Sequence, residues 1–76
     1  MNKSKQFIAQ QGSTSTVRIF EAGTGKLYRV ITVGGSIVSQ PYMAGNLMTV
    51  TVESHGKKQV KTFSLPGGGL KTTIPV

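Results

Sequence analysis

Residues 17–33, VRIFEAGTGKLYRVITV, and residues 60–76, VKTFSLPGGGLKTTIPV, align without a gap at an offset of 43 residues. The match pairs Val17 with Val60, Phe20 with Phe63, Gly25 with Gly68, Leu27 with Leu70, Ile31 with Ile74 and Val33 with Val76, and it sets Arg18 against Lys61. A self-match at a period in the low forties marks an array of units that bury their apolar faces against neighbours rather than alone.

Outward from the repeat, Val, Ile, Thr, Tyr and Phe dominate from residue 17 onward, with Gly or Pro at short intervals and no helical period. That composition and punctuation predict strands and tight turns. The spacing predicts strands over 17–22, 27–33, 36–41, 47–54, 58–65 and 70–76, with turns at Gly23-Thr24-Gly25, Gly34-Gly35, Gly45-Asn46, His55-Gly56 and Pro66-Gly67-Gly68-Gly69. Met48, Val50 and Val52 alternate with Thr49, Thr51 and Glu53, so this strand has one apolar face. In the last strand the same alternation puts Leu70, Thr72, Ile74 and Val76 on one side. Pro75 lacks the N–H of a central ladder position and places that strand at a sheet edge. The fold class expected is all-β, an antiparallel up-and-down meander of one domain over 17–76, made of a hairpin (17–33) and a four-stranded unit (36–76). Residues 1–16 are rich in Lys, Gln, Ser and Thr and read as a flexible arm whose anchor is Phe7 and Ile8.

Residues 39–76 resemble one blade of a β-propeller of the quinoprotein or WD40-like kind. The residues that carry the resemblance are Ser39 and Pro41 in a first strand, the Gly45-Asn46 turn, the alternating valines, the short turn at Ser54-His55-Gly56, a third strand ending in Phe63, and a Gly-rich turn into a fourth. Residues 17–33 then look like the last two strands of a preceding blade. The chain has no Trp to serve as a docking tryptophan and no WD dipeptide, so the resemblance implies a blade shape without a cofactor site. A closed propeller takes at least ~4 blades, so the shape implies completion by oligomerisation or by a partner.

Size points the same way. At 76 residues, only about 60% of the unfolded chain's surface can be buried. With no Cys, neither disulfides nor thiolate metal sites can staple the fold. The opening MNKSKQFIAQQ has a two-residue apolar patch, against the ~7–15 residues of a signal-peptide core. No segment reaches the ~20 apolar residues of a membrane span. The expectation is a small reading frame complete from Met1, not secreted through a signal peptide, placed in the cytoplasm or in a virion, with no membrane partner.

Groups that carry chemistry are few. AGTGKL at 22–27 echoes a phosphate-binding loop, but Phe20 stands where such a loop has its first Gly, Leu27 stands where it has Ser or Thr, and the segment joins two strands. His55 is the only histidine, Glu21 and Glu53 are the only carboxylates, and they fall in different hairpins. No triad or paired-carboxylate site can be assembled from them, so the chain is read as no enzyme, with no catalytic residues, no metal and no cofactor. Nine Lys and Arg against two acidic residues give a net charge of +7, which favours polyanionic partners. The candidate nucleic-acid-binding residues are Lys57, Lys58, Lys61 and Lys71, with Arg18 and Arg29 in the repeated hairpin, suited to phosphates rather than to base edges. Phe20 and Phe63, at equivalent positions, are expected in the core.

The function expected is that of a non-enzymatic structural or assembly subunit, a component of a bacteriophage tail or capsid with a basic face toward DNA. Its partners are copies of itself or larger structural proteins. The alternative is a small nucleic-acid-binding barrel, SH3-like or OB-like, with the same lysines as its recognition surface.

Overall fold

The computed structural model describes residues 6–65 and 67–76. Eight strands follow one another: β1 (Phe7–Gln11), β2 (Thr16–Glu21), β3 (Leu27–Thr32), β4 (Ser36–Ile37), β5 (Tyr42–Ala44), β6 (Leu47–Ser54), β7 (Lys57–Ser64) and β8 (Gly69–Pro75). All pairings are antiparallel, and all but that of β4 with β6 join chain neighbours, in two sheets. The first sheet has the order β1-β2-β3, and the second β4-β6-β7-β8 with β5 also on β6. The chain is thus all-β and an antiparallel meander, as its alternation and turns predict.

Segment 36–41, expected as one strand, is broken. β4 pairs with the far end of β6 (Ile37 with Val52) and β5 with the near end (Tyr42 with Thr49). Pro41 supplies no N–H to a ladder, and across the gap the Thr51 amide donates to Ser39 Oγ at 3.3 Å. Segments 36–37 and 42–44 together fill one rank beside β6, so the second sheet keeps four ranks. β8 forms its outer edge, in keeping with Pro75.

The arm expected over 1–16 is corrected over 7–11, which form β1 on the free edge of β2. Two causes act together. Unpaired backbone groups on β2 would otherwise face solvent, and Phe7 is buried, its ring 5.0 Å from that of Tyr28. Residues 1–5 of that expected arm, and Pro66 in the last predicted turn, lie outside the described residues.

The two sheets lie face to face on a single apolar core. Phe7, Val17, Ile19, Ile31 and Val33 come from the first sheet or its end, and Met48, Val50, Val52, Phe63 and Leu65 from the second. Burial of a side chain of this size is worth about 1.5–3 kcal/mol, and this core is the chief favourable term for so short a chain.

The internal repeat is present in backbone detail. Val17 opposes Ile31, Arg18 opposes Val30, Ile19 opposes Arg29 and Phe20 opposes Leu27. At the same offset, Val60 opposes Ile74, Lys61 opposes Thr73, Thr62 opposes Thr72 and Phe63 opposes Leu70. A bulge interrupts each hairpin at the same place, between Ile19 and Phe20 and between Thr62 and Phe63. The turns match as well. Gly25 N donates to Glu21 O at 2.7 Å and Gly68 N to Ser64 O at 2.6 Å, with φ of +74° and +80°.

The bulge also corrects the side-chain pattern of the last strand. It inserts Lys71 between Leu70, which stands opposite Phe63, and Thr72, which stands opposite Thr62. Leu70 therefore leaves the row that Thr72, Ile74 and Val76 keep by alternation.

Candidate functional site

The repeat extends further than sequence alignment reveals, and its extension defines the exposed faces. β1 stands to β2 as β6 stands to β7: Ile8 opposes Phe20 as Met48 opposes Phe63, and Gln11 opposes Val17 as Thr51 opposes Val60. Each unit is therefore a three-stranded meander, β1-β2-β3 or β6-β7-β8. One cross-strand row reads Ile8, Phe20, Leu27 in the first unit and Met48, Phe63, Leu70 in the second. A second row, on the opposite face, reads Gln11, Val17, Ile31 and then Thr51, Val60, Ile74.

The two units bury opposite faces. In the first unit the row of Val17 and Ile31 faces the core, and Ile8, Phe20 and Leu27 lie on the outside. In the second, Met48 and Phe63 face the core and the row of Val60 and Ile74 lies outside. Cross-strand neighbours share a face and successive residues alternate, so with the same register in both units the burial pattern shows that opposite faces are turned to the core. Phe63 is buried as expected, whereas Phe20 is corrected to a half-buried position on the outer face of its sheet.

Both outer faces are apolar in part. Ile8, Leu27 and Val30 are exposed on the first sheet, and Tyr42, Ile74 and Val76 on the second sheet or its end. Scattered exposed apolar residues are ordinary on a protein surface. Here Ile8, Ile74 and Val76 are the counterparts of the core residues Met48, Ile31 and Val33, and that distinguishes them.

The basic residues do not form one patch. Lys57 and Lys58 are exposed at the β6–β7 turn, where they line an open groove of about 380 Å³ with Gly56, Gln59, Pro75 and Val76. Lys58 stands opposite Glu53. Lys61 turns inward: half-buried, it donates from Nζ to the Val33 carbonyl at 3.0 Å and so joins the two sheets. Lys71 is the exposed bulge residue of β8, at the other end of the hairpin from Lys57. Arg18 lies on the outer face of the first sheet. Arg29, paired with the inward Ile19, has its guanidinium carbon 5.7 Å from the centre of the Tyr28 ring.

His55 occupies the two-residue β6–β7 turn with φ of +54°, beside Gly56 at +76°, and its Nδ1 lies 3.1 Å from Ser54 Oγ. Positive φ at both positions is what a tight hairpin with right-handed strand twist requires. Glu21 closes the β2–β3 turn, where Thr24 Oγ1 donates to its carboxylate at 3.1 Å. Glu53 sits in the other sheet. Among the described residues no cluster of three His, Cys, Asp or Glu side chains is placed to hold a metal ion, and there is no helix to cross a membrane.

No protein-family model, curated protein or solved structure matches the chain.

Proposed function

We propose that the chain is a non-enzymatic structural subunit, blade-like in shape, that works as one block of a larger β-sheet assembly. The observation that carries this is the exposure of β8. Ile74 and Val76 are 57% and 80% exposed, whereas Ile31 and Val33, their counterparts in the first unit, are 5% and 1% exposed. A sheet face that is core in one copy of the repeat and bare in the other is a face built to be covered.

The charge of +7 supports a setting that holds polyanions, of which a virion tail or capsid around DNA is the one that suits a small β subunit. Repetition of the chain around an assembly would multiply the Lys57 and Lys58 pair into a basic belt along duplex phosphates.

A second reading, a monomeric nucleic-acid-binding module, draws on the groove that Lys57 and Lys58 line. Light scattering with a duplex-DNA gel shift separates the two. The assembly reading predicts a mass that is a multiple of 8.1 kDa. A persistent monomer that binds duplex DNA would replace it with the second.

A further inference from the structure

We infer that copies of this chain associate head to tail, the outer face of the second sheet of one copy covering the outer face of the first sheet of the next, in the packing that already joins the two sheets within the chain. The inference deepens the assembly reading and rests on it.

Its basis is the inversion of faces. Two identical units related by a twofold axis bury the same face of each, and the contact is then saturated. Two units stacked in one direction bury opposite faces and leave one of each kind bare. The units here follow the second pattern. Val17, Ile31 and Val33 pack toward Met48 and Phe63 in one core. Left on the outside are the exposed Ile74 and Val76 with the half-buried Val60 at one end, and the exposed Ile8 with the half-buried Phe20 at the other, the counterparts of the buried Ile31, Val33, Val17, Met48 and Phe63. The bare surfaces are thus of the two kinds that the chain already packs together, and a second copy is the occupant that brings both.

A polar contact makes the correspondence specific. Lys61 donates to the Val33 carbonyl across the internal interface at 3.0 Å. The counterpart of Lys61 is Arg18, exposed on the outer face of the first sheet, and that of Val33 is Val76. In the stacked pair the Arg18 guanidinium meets the backbone oxygen of Val76 of the neighbouring copy.

A directional interface gives a ring where its rotation closes and a filament where it does not. It also gives a test that no symmetric interface can mimic. Ile74→Lys spoils one face and Ile8→Lys the other, and both side chains are more than half exposed, so the fold of the single chain is kept, as circular dichroism would check. Sedimentation equilibrium of the unmodified chain is expected to show self-association, and each variant alone is expected to lose at least about tenfold in association constant. An equimolar mixture of the two variants is expected to form a one-to-one heterodimer that grows no further, because one intact pair of faces remains. Self-association that neither variant weakens, or a mixture as monomeric as its components, would overturn the head-to-tail contact while leaving the assembly reading standing. A monomeric unmodified chain would overturn both.

Discussion

Ile31 and Ile74 stand opposite Val17 and Val60 in the same register of two matched hairpins, yet the first is 5% exposed and the second 57%. Backbone and side chain are alike at the two positions, so the difference lies in what covers them. Ile31 is covered by the core that the two sheets of its own chain form.

Met48→Ala and Ile8→Ala remove equivalent side chains from a buried and a bare face. Met48 is fully buried, so its loss is expected to cost about 2–5 kcal/mol. Ile8 is 52% exposed, so at concentrations where the chain is monomeric its loss is expected to stay within about 0.5 kcal/mol. Urea titration of the two variants at high dilution measures the contrast, and equal costs would contradict the assignment of faces.

Phe7→Ala distinguishes a strand from an arm. Phe7 is buried against Tyr28, and its truncation is expected to cost about 3–5 kcal/mol, a large part of the stability of so small a domain. Thermal unfolding followed by circular dichroism should show a much lower midpoint or no cooperative transition. An unchanged midpoint would return residues 7–11 to a dispensable tail.

Gly25→Ala and Gly68→Ala probe the matched turns. Both glycines have positive φ, where a Cβ costs roughly 1–2 kcal/mol. A Cβ on Gly68 would also lie 2.8 Å from Arg29 Cδ, whereas one on Gly25 meets open space. Gly68→Ala is expected to be the more destabilising, and Arg29→Ala in the same chain to remove the excess. Denaturant midpoints of the three variants test this.

Lys61→Gln and Lys58→Gln separate a structural lysine from surface ones. Lys61 joins the sheets through the Val33 carbonyl, and its loss is expected to cost about 1 kcal/mol. Lys58 is exposed, and its loss should stay within about 0.5 kcal/mol. If Lys57 and Lys58 contact duplex phosphates, each Gln substitution lowers the slope of log K against log salt by about 0.9, and Lys61→Gln leaves it unchanged. Salt titrations of DNA binding read the difference.

Much of this fold was legible in the residues because alternation and turn chemistry are local. The Met48, Val50, Val52 stripe, the His55-Gly56 turn and the edge-strand Pro75 each announce their structure over a few positions. The match of Phe20 to Phe63 and of Gly25 to Gly68 carried the hairpin pair, down to a shared bulge. β1 was hidden because FIAQQ sets one large apolar side chain on its inward face, and its order comes from β2 and Tyr28, which no local pattern reports. The break between β4 and β5 depends on a side-chain oxygen of Ser39 replacing a backbone partner. The separate placing of the lysines was not legible, because sequence distance does not tell which face a residue takes. Lys61 alternates inward between outward neighbours, and the bulge separates Lys71 from the pattern of its strand. The inversion of the two units needed the sheets in place, since it is a relation between faces rather than between residues.

The contact between copies is expected to repeat the contact within the chain, and cross-linking at its polar pair reads this most directly. The sequence has no Cys, so Arg18→Cys and Val76→Cys each introduce a single thiol at the counterparts of Lys61 and Val33. With a short bismaleimide linker, an equimolar mixture is predicted to give the mixed dimer as its dominant product, and each variant alone little dimer. Dominant like-with-like dimers, or a mixed dimer no more abundant than in denaturant, would contradict it.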